Sequence, residues 1–379
     1  PYAVAIGMGA QATQKGAMAL GIGSQASGYY SGSFGYYSIS SGYYSMALGF
    51  RSTASNYYAG ALGYNANVSG QSSLALGYSA QATQNYATAV GASASATNTY
   101  SSAFGRNASA QGQNSVAVGY LATTGASATD ASAFGRAANA TGPSAMALGA
   151  SAIASGTTSV AMGYQANASN SYAVAIGYQA KAPATYSFSF GYNSEAAGDN
   201  SFAIGTYGLN ADGTVNNSRP TKTFQPYSVA MGMGAQASQK GDMAFGVNSS
   251  ASGSYSTAMG YSPVSSGAYS TAIGYQASST GTYSTAMGYT ASSGGNYSAA
   301  LGMGASTTGS YATSIGYFSR AYGNKSTAIG AQYSQTYVIR QCNIKTGICI
   351  FIPHTVNRYN TAEGDYSLAI GNGNYSKNG

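Results

Sequence analysis

Ser144-Ala145-Met146-Ala147-Leu148-Gly149, followed by Ala150-Ser151-Ala152-Ile153-Ala154-Ser155-Gly156, shows the repeating unit of this chain in its plainest form. Two short alternating stretches each lead to a glycine. The signature of an apolar or small residue, Ala, an apolar residue and Gly recurs almost always fourteen residues on. Its closing glycines run from Gly7 to Gly119, from Gly135 to Gly205 and from Gly232 to Gly330, with Gly371 standing alone. A short fixed period of this kind denotes a solenoid, in which each unit buries its surface only against its neighbours.

Two strands of about five residues, joined at glycine corners, fit such a unit. Stacked coils then form two parallel sheets facing each other across a thin interior. Within Val4-Ala5-Ile6, side chains alternate between faces, so Ala5 points one way and its neighbours the other. The alanine face must be the cramped interior, which also suits Ala10 and Ala12, Ala80 and Ala82, and Ala150, Ala152 and Ala154. The large residues line the outside in one stripe: Val4 and Ile6, Met18 and Leu20, Met46 and Leu48, Leu74 and Leu76, Val116 and Val118, Met146 and Leu148, Val160 and Met162, Val174 and Ile176. Monomers normally expose contiguous apolar patches of only a few hundred Å². The simplest closed solution is symmetry, with several copies of the chain placing their stripes together along one axis. At about 25 cal/mol per Å², burying a Val and an Ile per coil contributes several kcal/mol for each layer. The expectation is an obligate homo-oligomer; docking of the stripe on lipid or on another protein is the alternative.

Only 6% of the 379 residues are charged, against about 25% in ordinary soluble domains. No heptads or charged helix faces favour a helical bundle. Low complexity would suit disorder, but the strict placement of Val, Ile, Leu, Met and Phe beside each Gly argues against it. The net charge of +7 comes from 14 basic and 7 acidic residues. The densest cationic run (Arg320, Lys325, Arg340, Lys345, Arg358) is sparse beside the clustered patches that phosphate backbones require. No nucleic-acid partner is therefore expected, and the cations read as a solvated face.

The repeat is interrupted. Gly119 to Gly135 is a sixteen-residue step, placing a bulge around Thr123 to Asp130. Pro226 to Gly246 nearly copies Pro1 to Gly21, which points to duplication of a block and makes residues 206–225 a junction, with Asp212-Gly213 as a hairpin-turn signal. Tyr337 to Cys342 and Ile348 to Ile352 read as a second hairpin, in which Cys342 and Cys349 lie close enough to pair in an oxidising compartment. The expected division is a first roll over 1–205, an insertion over 206–225, a second roll over 226–332, a hairpin insert over 333–361 and a resumed repeat over 362–379.

Ser115-Val116-Ala117-Val118-Gly119, Ser159-Val160-Ala161-Met162-Gly163 and Tyr172-Ala173-Val174-Ala175-Ile176-Gly177 resemble the head repeats of trimeric autotransporter adhesins of the YadA type. The resemblance implies a left-handed parallel β-roll, three chains about one axis, displayed on a Gram-negative outer membrane for attachment. It covers most of the chain. No secretory signal, membrane span, coiled-coil stalk, neck or C-terminal anchor is recognisable in it, so membrane contact is expected only through an anchor absent from these residues. A self-assembling extracellular filament, or a phage or viral fibre built on the same roll, is the alternative.

Most of the 36 tyrosines occupy two corner positions. One lies five residues before the signature glycine and includes Tyr30, Tyr44, Tyr58, Tyr86, Tyr100, Tyr255, Tyr269, Tyr283, Tyr297 and Tyr311; the other directly follows that glycine, as at Tyr64, Tyr78 and Tyr275. Equivalent residues of a solenoid stack, so each set becomes a ladder, with offset rings attracting by about 0.5 to 1.5 kcal/mol per pair. Such ladders would stiffen the roll. The first set is also the candidate adhesive surface, able to hold sugars, proteins or abiotic material through many weak contacts, with an unknown surface receptor or matrix component as partner.

Catalysis finds little to use. His354 has no acidic neighbour nearer than Glu363, and the acidic residues are dispersed without a carboxylate pair. No metal-ligand cluster or phosphate loop is present. The chain is read as a non-enzyme without cofactor or metal.

Overall fold

The computed structural model describes residues 2–342, 349–371 and 373–376, with side chains for all of these outside 333–357. Every regular element among them is a β-strand. The chain divides into two compact units, Pro1–Ala196 and Ala197–Gly379.

Coils of the first unit repeat one plan: a three-residue strand, a corner, a two-residue strand and a second corner. Around the alanine-rich stretch quoted above, the strands are Met146–Leu148 and Ile153–Ala154. Each pairs in parallel with its counterpart one coil on, Met146 opposite Val160 and Ile153 opposite Asn167. The same offset runs from Val4 opposite Met18 to Val174 opposite Phe188, which makes the unit a parallel β-solenoid.

These strands are shorter than the five residues expected, because the corners are true four-residue turns. The Gly149 carbonyl accepts the N–H of Ala152 at 3.3 Å, and that of Gly156 accepts the N–H of Ser159 at 3.2 Å. The third residue of each turn is left-handed, Ser151 at φ 56° and Thr158 at φ 54°, as turns with positive φ at that position demand. Gly149 has φ +133°, and a Cβ there would stand 2.5 Å from the Gly163 carbonyl oxygen. The signature residue must therefore be glycine on two counts, conformation and space.

Inside the coil, Ala147, Ala152 and Ala154 are wholly buried, as the alternation requires. Ala150 is not part of this interior: it occupies the second position of the turn and is half-buried. Ala10 and Ala12 are also only partly buried, packed beside a small cluster of Ala17, Ala19 and Ala26. The longer coil pairs Val116 with Ser132 and Thr123 with Asn139. Its extra residues form an added turn at Ala126-Ser127, while Asp130 takes the left-handed corner position at φ 58°.

In the second unit Phe202–Ile204 pairs directly with Val229–Met231. Between them the chain leaves the roll as a short antiparallel hairpin, Gly208–Leu209 against Val215–Asn216, and Lys222–Thr223 already pairs with Gln236–Ala237 of the next coil. The roll then continues in fourteen-residue register to Thr327–Ile329. A second excursion pairs Tyr333–Cys342 with Cys349–Arg358 in antiparallel fashion, with Cys342 opposite Cys349 along the backbone. The connection 343–348 and the two thiols lie outside what is described, as do the side chains of Arg340, Lys345 and His354. Thr361–Ala362 and Leu368–Ile370 rejoin the roll against Arg320–Ala321 and Thr327–Ile329.

Candidate functional surfaces

Because alternate residues of the three-residue strands point inward, their first and third residues form one outer face. In the first unit Val4, Ile6, Met18, Leu20, Met46, Leu48, Leu74, Leu76, Met146, Leu148 and Met162 are exposed. Val116, Val118, Val160, Val174 and Ile176 are half-buried. Parallel pairing sets Met146, Val160 and Val174 in one column and Leu148, Met162 and Ile176 in another. The second unit keeps the third-residue column apolar (Met259, Ile273, Met287, Leu301, Ile315), but Thr257, Thr271, Thr285 and Thr313 fill much of the first.

The tyrosines form the second surface. Along one corner of the second unit Tyr255, Tyr269, Tyr283, Tyr297 and Tyr311 stack with centroid spacings of 5.4, 4.8, 5.1 and 5.0 Å and nearly parallel planes. In the first unit Tyr30, Tyr44 and Tyr58 stack at 5.3 and 5.4 Å, and Tyr86 meets Tyr100 at 4.8 Å; Ser72 interrupts the column between these groups. Ring faces cover one another within each ladder, so phenol edges and hydroxyls are what solvent meets.

Each of these tyrosines sits at φ between 55° and 60°, a region costing an L residue roughly 1–2 kcal/mol. Two things offset that cost. The backbone N–H donates to the preceding coil, as from Tyr44 to the Tyr29 carbonyl at 2.9 Å and from Tyr269 to the Ser254 carbonyl at 2.9 Å. The ring then gains its stacking partner.

A further ladder escaped sequence reasoning: Tyr29, Tyr43 and Tyr57 stack at 4.9 Å each. Their fourteen-residue spacing was the available signal, masked by the adjacent Tyr30, Tyr44 and Tyr58. Beside the glycine, Tyr36, Phe50, Tyr64 and Tyr78 make a fourth. Some rungs are cationic, with the Arg106 guanidinium 5.8 Å from the Tyr120 ring centre and the Lys325 ammonium 4.8 Å from that of Tyr366.

Two polar devices were also unforeseen. Arg219, in the chain returning from the short hairpin, donates to the carbonyls of Gly234 and Asn248 at 2.8 Å each. Asn248 in turn exchanges hydrogen bonds with the backbone of Leu209, clasping the hairpin to the roll. Asp242 is wholly buried where the near-copy in the first unit has Ala17. Its carboxylate accepts from the N–H groups of Gln239 and Ser256 and from the Ser256 hydroxyl. Burial still holds its carboxyl above the ordinary value of 3.8, with those hydrogen bonds working in the opposite direction.

Among the described residues no three His, Cys, Asp or Glu side chains converge to hold a metal ion. A hollow of about 410 Å³ on the short-strand face of the first unit is lined by Ser151, Ile153, Gln165, Asn167, Gln179, Lys181 and Asn193, mostly groups that bind by hydrogen bonding.

Comparison with known proteins accords with this geometry. The family described as YadA head domain repeat (2 copies) matches residues 12–38, 40–66, 69–94, 96–122, 126–152, 154–180, 182–207, 237–262, 265–291, 279–305, 308–332 and 359–374. A solved structure, the collagen-binding domain of the Yersinia adhesin YadA, is similar at 22% identity and a TM-score of 0.30, over 39% of this chain and 80% of that one. No curated protein matches. With repeats matched in both units and over most of its length, the chain belongs to the YadA head repeat family.

Proposed function

We propose that this chain is the head of a cell-surface adhesin, assembled as a homotrimer and displayed outside a bacterial cell. The observation that carries the reading is the pairing of two surfaces within each unit: an apolar face that needs covering, and corner ladders of exposed phenols that do not. Val4, Ile6, Met18, Leu20 and their counterparts through Val174 and Ile176 are the subunit contact. Tyr30, Tyr44, Tyr58, Tyr86, Tyr100, Tyr255, Tyr269, Tyr283, Tyr297 and Tyr311 are the adhesive exterior. Membership of a head-repeat family supports a binding role without catalysis.

A comb of hydroxyls at regular spacing holds a surface through many weak contacts, so the loss of one rung matters little and the loss of a ladder matters much. Replacing Tyr255, Tyr269, Tyr283, Tyr297 and Tyr311 together by Ser is expected to lower retention of the purified head on matrix-coated or abiotic surfaces at least tenfold, with its oligomeric mass unchanged. Unchanged retention would remove the ladders from the adhesive role.

A further inference from the structure

Stacked phenols at fixed spacing are more than a stiffening device. We propose that the tyrosine ladders are sites of oxidative coupling, where peroxide used by a haem peroxidase joins neighbouring rings of one chain and so links successive coils covalently.

In this step each of two adjacent tyrosines gives up an electron and a proton and becomes a phenoxyl radical. The radicals join through the ring carbons ortho to oxygen, and the hydrogen on each of those carbons moves to its oxygen, restoring two phenols. Two hydrogens leave per bond formed, and one hydrogen peroxide is reduced to two waters.

Coupling of free phenoxyl radicals is limited by their meeting, and a scaffold that holds both partners together removes that limit. The ladders do so in high degree. Tyr269 and Tyr283 lie 4.8 Å apart with planes 3° from parallel, and Tyr86 and Tyr100 are 4.8 Å apart with planes 4° from parallel. They occupy equivalent backbone positions one coil apart, so their hydroxyls point the same way. All of these rings are exposed, within reach of a bulky oxidant or of a small diffusible radical.

The molecule carries its own controls. Phe50 stacks on Tyr36 at 5.0 Å and on Tyr64 at 4.9 Å, as a tyrosine would, but has no phenol. Tyr64 and Tyr78, stacked at 5.1 Å in the same ladder, can couple. Tyr120 has Arg106 over its ring.

The test is to treat the full chain with horseradish peroxidase and hydrogen peroxide, then digest it and map cross-linked peptides by mass spectrometry and dityrosine fluorescence. The expected products lack two hydrogens and join residues fourteen apart, such as Tyr269 to Tyr283, Tyr30 to Tyr44 and Tyr64 to Tyr78, with Tyr36 and Tyr120 outside such pairs and the chain still running as one polypeptide on a denaturing gel. Unfolding in denaturant before oxidation should cut the yield of fourteen-apart pairs at least fivefold. The variant Tyr283→Phe keeps a stacking ring, as Phe50 does; it should abolish the Tyr269–Tyr283 and Tyr283–Tyr297 products while leaving Tyr297–Tyr311. Cross-links between chains only, pairs without the fourteen-residue spacing, or equal yields from folded and unfolded chain would each overturn the proposal.

Discussion

The interior of the roll between Ala128 and Ala182 and that between Ser256 and Ser326 have the same backbone plan and different fillings. In the first, alanines such as Ala147, Ala154, Ala161 and Ala168 meet across the gap. In the second, Ser265 faces Ser270, Ser279 faces Ser284 and Ser293 faces Ser298, each pair with hydroxyl oxygens 2.6 Å apart. Ser284 and Ser298 also reach the carbonyls of Gly281 and Gly295 at 2.6 Å. A gap too narrow for large side chains is filled in one case mainly by methyl contacts and in the other by hydroxyls that satisfy one another beside buried alanines such as Ala272, Ala286 and Ala300. The dimensions of the coil, and not apolarity as such, decide what enters, and the glycine corners set those dimensions.

If that is right, the corners should be equally intolerant in both regions. A Cβ at Gly163 would lie 2.3 Å from the Gly177 carbonyl oxygen, and one at Gly274 would lie 2.2 Å from that of Gly288. Gly163→Ala and Gly274→Ala should each destabilise by about 4 kcal/mol, at the upper end for single substitutions, as read by denaturant unfolding. A large loss in only one region would break the claim of a shared frame.

The fillings themselves should respond differently. Ser284→Ala leaves the buried Ser279 hydroxyl without the oxygen it meets and should cost about 1–3 kcal/mol, whereas the double change to Ala at 279 and 284 should recover most of that loss, since removing both partners is nearly neutral. Additive losses in the double variant would mean that hydrogen bonding is not what holds this interior.

Asp242 sharpens the comparison through pH. Burial makes the folded state hold its proton more tightly than the unfolded chain does. Its contribution to stability is therefore complete below pH 3.8 and is lost as pH rises through the folded value. The melting temperature should fall over that window, and Asp242→Ser, which restores the residue found at Ser256 and Ser270, should flatten the fall. A slope unchanged by the substitution would assign the pH dependence elsewhere.

The period, the alanine interior and the outer apolar columns were legible in the sequence because all three follow from alternation along a strand repeated at a fixed step. What was not legible depends on turn geometry and on contacts distant in sequence. Strand length shrank because Ser151 and Thr158 belong to turns, and Ala150 left the interior for the same reason. A left-handed tyrosine such as Tyr269 runs against the usual preference for Gly or Asn at positive φ, and only the neighbouring coil makes it acceptable. The Arg219 clasp spans 15 residues to Gly234 and 29 to Asn248, a reach that no local pattern encodes.

The reading of the outer face rests on its being covered by further copies of the chain. Light scattering on the soluble protein at micromolar concentration tests this most directly. A discrete species of three times the 37.9 kDa chain mass is the predicted result; a well-folded monomer, with Met146, Leu148 and Met162 still open to water, would contradict it.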